Sequence, residues 1–254
     1  MNPCTITSSS NELIKMAKAL HSSKRRKEFG MHLAEGEKTI QEAVSSGFVI
    51  EYLFCEDSYD YKRYDALARN ISIIPRDLML KISDSDTPQN VCAVIKTPYP
   101  LVINESMNGP FLVLDCVQDP GNVGTMIRTA DAFGINNILI GKGTADPYSP
   151  KTLRSAMGST YHVSLAFGNC VDEAKKLKKG GYTLICGHLK GEETFPSISD
   201  MNKAAIIVGN EGNGVSTELA SLCYLYRIPM KGKTESLNAS IATAILLYEF
   251  QKNL

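Results

Sequence analysis

No stretch of this 254-residue chain approaches the roughly 18 consecutive apolar residues that a membrane span needs. The opening residues, Met1-Asn2-Pro3-Cys4-Thr5, lack a basic region followed by an apolar one, so the expectation is an unsecreted protein working in the cytoplasm. Net charge is missing too: 27 basic side chains balance 27 acidic ones, and no whole-molecule field advertises a polyanionic partner. The seven cysteines are odd in number and scattered singly. Several sit in apolar runs such as Leu114-Asp115-Cys116-Val117, which suits reduced core thiols and neither a disulfide framework nor a CxxC metal site. His21, His32, His162 and His188 show no ligand spacing, so no metal is expected.

The common catalytic signatures are absent as well. No G-x-G-x-x-G follows a first strand, no GxxxxGK[ST] exists and no GxSxG is present, which argues against a usual dinucleotide fold, P-loop phosphoryl transfer and a nucleophile elbow. What the chain does hold is 43% hydrophobic residues arranged in alternating helical and strand-like runs, enough for two modest α/β domains.

In the N-terminal half, Asn11 to about Lys27 has apolar residues at helical spacing (Leu13, Ile14, Ala17, Leu20) and predicts one helix. A strand at Met31–Ala34, a helix at Thr39–Ser46, a strand at Phe48–Phe54, a helix at Tyr61–Arg69, a strand at Ile71–Ile74, a helix at Asp77–Ile82 and a strand at Val91–Ile95 follow. This alternation predicts a small α/β domain over residues 1–98. Lys15, Lys18, Lys24, Arg25, Arg26 and Lys27 form a local basic cluster that reads either as a solvated face or as a surface for phosphates. Glu35 and Glu37 read as a turn-forming, solvent-facing pair. A proline-bearing linker over 99–109 separates this domain from a second, 110–254.

The second domain opens with the apolar run Phe111–Asp115, as expected of a central parallel strand, and then a polar turn, Val117 to Gly124, feeds a helix over 125–133. Asn122 reads as a helix cap or a site residue, and Arg128 as a solvated side chain or one that reaches back beside the cap, at a strand end where open α/β sheets bind ligands. Strands at 136–140, 161–165, 182–186, 204–208 and 224–228 alternate with helices at 151–157 and 171–179. Two turns then break the apolar pattern. Val208-Gly209-Asn210-Glu211-Gly212-Asn213-Gly214 offers glycines for positive φ and close backbone approach. Ser236-Leu237-Asn238-Ala239-Ser240 opens a terminal helix, 238–250.

Three motifs in this order resemble the SpoU (TrmH-like) family of ribose 2′-O-methyltransferases within the SPOUT superfamily: Asp119-Pro120-Gly121-Asn122-Val123-Gly124-Thr125-Met126-Ile127-Arg128-Thr129-Ala130; Ile207-Val208-Gly209-Asn210-Glu211-Gly212-Asn213-Gly214; and Ile228-Pro229-Met230 through Ser236-Leu237-Asn238-Ala239-Ser240. The N-terminal half, with Lys24-Arg25-Arg26 through Glu35-Gly36, looks like the ribosomal-protein-like substrate-binding domain of many members. The resemblance implies a parallel-sheet domain tied in a trefoil knot, a homodimer, and S-adenosylmethionine as cofactor. It places Gly209, Ile228, Met230 and Leu237 around that cofactor, Asn122, Arg128, Glu211, Ser236 and Asn238 at the target, and Lys24, Arg25 and Arg26 on the substrate. The implied partner is RNA, ribosomal in preference to transfer RNA, and not DNA, which lacks the reacting hydroxyl. A guanidinium is a poor base at neutral pH, so Arg128 either gives up a proton only where its surroundings permit or stabilises the forming alkoxide and clamps a phosphate. Glu211 is expected to orient Arg128 or a loop.

Overall fold

The structure, a computed structural model, describes residues 3–252, so Met1 and Asn2 of the stretch read above lie outside the described residues. It comprises two compact units. One takes the chain up to Tyr99 together with Asp146–Tyr161; the other takes Pro100–Ala145 and the chain from His162 onward.

The first unit begins with β1 (Cys4–Thr5), α1 (Glu12–Ala19) and α2 (Ser23–Phe29). Two helices stand where one was expected, because the chain turns after Leu20 and Arg26 Nη1 takes the carbonyls of Leu20 (2.7 Å) and His21 (2.9 Å) that the break leaves over. β2 (Met31–Glu35), α3 (Glu37–Ser45), β3 (Ile50–Cys55), β4 (Ile71–Ile73), α4 (Arg76–Ile82) and β5 (Val91–Lys96) follow. The strands form a mixed sheet in the order β1-β4-β3-β5-β2, packed through Phe54, Cys92 and Val94 on Ile14, Leu20, Leu78 and Met79. The helix expected over 61–69 is a single 3₁₀ turn, Lys62–Tyr64. The sheet has taken its backbone: Ala68 bridges Ile50, Arg69 N donates to Ile50 O (3.0 Å), and Asn70 O accepts from Leu53 N (2.8 Å). Glu35 is not solvent-facing, since it accepts from Ser83 Oγ (2.6 Å) and Gln89 N (2.9 Å). Glu37 pairs with Arg63.

The rest of the chain runs β6 (Phe111–Leu114), α5 (Pro120–Ala132), β7 (Asn137–Gly141), α6 (Pro150–Ala156), β8 (Ser164–Gly168), α7 (Cys170–Lys179), β9 (Thr183–Glu192), β10 (Ala204–Val208), α8 (Thr217–Ala220), β11 (Tyr224–Tyr226) and α9 (Ala239–Lys252). Apart from α6, these make the second unit. Its six strands are parallel throughout, in the order β11-β9-β10-β6-β7-β8. β6 lies at the centre with every residue buried, which is why its sequence is continuously apolar. From β6 the chain builds outward through β7 to β8, then crosses to the other side for β9, β10 and β11. The order therefore reverses between β6 and β10, the place where open sheets hold ligands beyond their carboxyl ends. Leu101 N donates to Leu165 O (2.8 Å) and Ile103 is buried, so most of the expected linker belongs to this unit. No helix of the described residues is long and apolar enough to cross a membrane.

The segment 146–161, expected in the second domain, packs instead in the first unit. Arg26 Nε and Nη2 both donate to Asp146 Oδ2, at 2.9 and 2.7 Å, and Tyr148 N donates to Asp146 Oδ1 (2.9 Å). Beside them His32 is fully buried, its ring nitrogens 3.0 Å from Thr97 Oγ1 and 3.2 Å from Tyr161 Oη. Burial drives its pKa down to about 3, against the pull of Asp146 and with the help of Arg26. Tyr161 thus ends a 3₁₀ turn of this segment rather than starting β8, as the sequence had suggested. Arg26 is a correction too. Expected on an RNA-facing surface, it is only 6% exposed and committed to Asp146, whereas Lys24 and Arg25 are exposed.

Candidate active site

At the switch point Leu114, the last residue of β6, pairs with Val208, the last residue of β10, and Ile207 and Leu225 flank Cys186 of β9. The turn after β6 carries Cys116 at φ 60, a left-handed conformation unusual for a residue with a side chain. It is stapled on both sides. Thr144 Oγ1 donates to Leu114 O (2.9 Å) and accepts from Val117 N (3.3 Å), Ala145 N donates to Val117 O (2.8 Å), and Asn210 Nδ2 donates to Cys116 O (3.0 Å).

Beyond the turn, α5 begins at Pro120, five residues before the expected start, because Asp119 caps it by accepting from Asn122 N (2.9 Å) and proline suits the first helical position. Asn122 therefore lies within the first turn and is not the cap, and its side chain is free to face outward. It donates through Nδ2 to Glu211 Oε1 (2.9 Å) and accepts at Oδ1 from Asn238 Nδ2 (3.1 Å). Asn238 Oδ1 in turn caps α9, accepting from Ser240 N (2.9 Å) and Ser240 Oγ (2.6 Å). Every donor in this row meets an acceptor in one amide orientation only, since Glu211 accepts and Ser240 N donates.

Glu211 Oε2 also receives Gln118 N at 3.4 Å. Burial works against its ionised form, but the hydrogen bonds from Asn122 and from backbone N–H groups outweigh that and hold its pKa below the ordinary value. Of the two expected partners, Arg128 or a loop, Glu211 meets the loop at Gln118 N, and it meets Asn122 besides; a carboxylate so engaged is a poor proton acceptor.

The structure brings together Asn122, Glu211 and Asn238 of the expected site. Arg128 stands exposed two turns further along α5 and, among the described residues, makes no ion pair or hydrogen bond; helical side chains lean toward the N-terminus, which is the Asn122 end. Ser236 is likewise exposed and outside the row. Between Arg227, whose N–H donates to Glu192 O (2.7 Å), and Asn238, the chain is an exposed irregular loop that carries Ile228, Met230 and Leu237. Gly209 is required for a reason other than positive φ: a Cβ there would come within 2.2 Å of Gly214 C, so its space is filled by the chain's own backbone. Gly214 does take a positive φ, 68. Asp115, Cys116, Thr144 and Asn210 were not singled out from the sequence. Asn210 alone carried a signal, lying inside the second glycine motif.

The donor set fits a nucleoside with a cationic sulfonium better than a phosphate. Asn122 and Asn238 are neutral, Glu211 is anionic, and Met230 and Leu237 offer exposed apolar surface beside free loop backbone.

A parallel α/β unit with polar loops gathered at its switch point, in a chain that also carries a mixed-sheet unit, defines a two-unit α/β protein. The SpoU rRNA methylase family model matches residues 109–248, the MRM3-like substrate binding domain matches residues 11–93, and the chain belongs to the SpoU family. It is 34% identical over 247 residues, 97% of this chain and 98% of the relative, to the 23S rRNA (guanosine(2553)-2′-O)-methyltransferase RlmP of Bacillus subtilis. An AdoMet-bound rRNA methyltransferase from Sinorhizobium meliloti superposes with TM-score 0.88 at 33% identity, over 98% of each chain. The SpoU methyltransferase AviRb from Streptomyces viridochromogenes, solved with AdoMet, gives TM-score 0.81 at 26% identity, over 95% of this chain and 97% of its own.

Proposed function

We propose that this protein is an S-adenosylmethionine-dependent methyltransferase acting on a ribose 2′-hydroxyl of large-subunit ribosomal RNA. The observation that carries the reading is the row Glu211–Asn122–Asn238, assembled at the switch point of a SpoU-family chain. Ribosomal RNA is favoured over transfer RNA because two of the relatives named above, RlmP and the Sinorhizobium meliloti enzyme, align over nearly the whole chain and are rRNA methyltransferases by name.

When bound, S-adenosylmethionine supplies a methyl group on positive sulfur for in-line displacement. Gly209, Ile228, Met230 and Leu237 would hold the cofactor. Asn122 and Asn238, locked by Glu211 and by the start of α9, keep ribose hydroxyls in line, and such positioning accounts for much of the rate. Arg128 steadies the developing alkoxide and clamps a neighbouring phosphate while the hydroxyl proton passes to water. Ser236 holds the ribose from the loop. Lys24 and Arg25 contact RNA; Arg26 does not.

The expected domains, 1–98 and 110–254, keep their functional division in this reading, with 146–161 reassigned. A trefoil knot through the loops that meet at Asn122, Glu211 and Asn238 is part of it, supported by the sheet order and the family. So is a homodimer, supported by the apolar row Ile241, Ile245 and Tyr248 on α9, whose first and last members are about half exposed. The setting is the cytoplasm, where bacterial ribosomal RNA is made and modified. Mapping 2′-O-methyl positions in total RNA with and without the protein tests the proposal. One large-subunit ribose losing its methyl is the expected result; unchanged rRNA with a lost tRNA methyl would redirect it.

A further inference from the structure

We infer that Asn210 is a positioning residue for this reaction: its side-chain amide fastens the loop bearing Glu211 to the turn that leads into α5, and so sets where Glu211 meets Asn122. The inference rests on the methyltransferase reading for its chemistry, but its geometry stands alone.

Asn210 uses each of its polar atoms. Its backbone exchanges hydrogen bonds with Gly214 in both directions, N to O at 3.0 Å and O from N at 2.9 Å, closing a tight loop around Glu211. Its Oδ1 accepts from Gly212 N (2.9 Å) and Asn213 N (3.1 Å), which turns the chain immediately after Glu211. Its Nδ2 donates across to Cys116 O (3.0 Å). The loop shape and the tie to Cys116 are therefore separate duties of one amide.

The tie matters because Cys116 holds a left-handed turn that a side chain disfavours. Thr144 and Ala145 brace it from the β7 side, and Asn210 braces it from the β10 side. Two residues on, Gln118 N reaches Glu211 Oε2, and Asn122 Nδ2 reaches Oε1. If Cys116 relaxes, the spacing between Glu211 and its donors changes from both ends.

Aspartate is nearly isosteric with asparagine and separates the two duties. Asn210→Asp keeps Oδ1 for Gly212 and Asn213 but loses the donor and sets a charge against the Cys116 carbonyl. The expected result for Asn210→Asp is a kcat lower by roughly 10²-fold, the size of loss that a misplacement of about 1 Å causes. The KM for RNA and the calorimetric Kd for S-adenosylmethionine should stay within about two-fold.

A readout independent of turnover is the Glu211 carboxyl titration, followed by NMR on carbon-labelled glutamate and assigned with Glu211→Gln. Asp115, bound by Ser216 N, and Asp119, the α5 cap, face the same loops and stay unlabelled. In Asn210→Asp the Glu211 midpoint should move upward, toward the ordinary value, as its donors are lost. Asn210→Ala, with the fold checked by circular dichroism, should move it the same way without adding a charge. An unmoved Glu211 titration in both variants overturns the inference, whether or not activity falls. Should the wild type methylate no RNA, the functional reading fails while the titration still decides the role of Asn210.

Discussion

Asn238 donates its side-chain amide to Asn122 Oδ1 at 3.1 Å across 116 residues of sequence, and the same Asn122 side chain donates to Glu211. Motifs one, two and three thus share one hydrogen-bonded row. Each member is both a structural clip and, in the reading above, part of the surface that receives a ribose.

Asn122→Asp should break the row where it is shared. Aspartate keeps the shape but loses the donor and sets a second carboxylate against Glu211. The expected outcome is a kcat lower by about 10²-fold, the effect of removing one well-placed donor. Cofactor binding measured by calorimetry should hold. Undiminished turnover would take the row out of catalysis.

Arg128→Ala should abolish methyl transfer while leaving S-adenosylmethionine binding intact. Arg128 is exposed and makes no ion pair among the described residues, so unfolding free energy should change by no more than about 0.5 kcal/mol. Wild-type turnover by this variant would remove Arg128 from the mechanism.

Arg26 and Lys24 should part company. Removing Arg26 leaves Asp146 charged and largely enclosed, and Arg26→Ala should cost about 3 kcal/mol in urea unfolding. Lys24→Ala should leave stability alone but weaken RNA binding and flatten its dependence on salt. If Arg26→Ala proved as stable as wild type, the placement of 146–161 in the first unit would be in question.

His32 gives stability an acid limb. The unfolded chain protonates this imidazole near pH 6.5, while the buried ring resists protonation until about pH 3. Between these values the unfolded state binds more protons, so stability rises with pH. The contribution is complete above about pH 6.5 and is lost as pH falls toward 3, by at most about 1.4 kcal/mol per unit. Urea midpoints of wild type and His32→Gln at pH 7 and pH 5 check this: the variant should lose less on acidification.

How much of this was written in the sequence depends on how local the cause is. β6 and β10 are continuous apolar runs, and α9 is a largely apolar run behind the Asn238 cap; all three lie within a residue or two of where periodicity sets them. Asn122, Glu211 and Asn238 came from motif order, because hydrogen-bonding partners this far apart leave no periodic trace. The failures share a physical form. The 61–69 helix lost its backbone to a ladder with β3, Arg26 was recruited by Asp146, and Cys116 took a turn that no residue type announces. In each case a partner distant in sequence overrode a local preference.

The reassignment of Asp146–Tyr161 changes what counts as a module in this protein. The chain passes from one unit to the other at three peptide bonds rather than one. Cutting it at the proline-bearing linker would leave Arg26 charged without its carboxylate and uncover the ring of His32. Recombining the substrate unit of one relative with the methylase of another must therefore transplant two separated pieces of sequence together, and a gene exchange with a single crossover at the linker inherits a mismatched core.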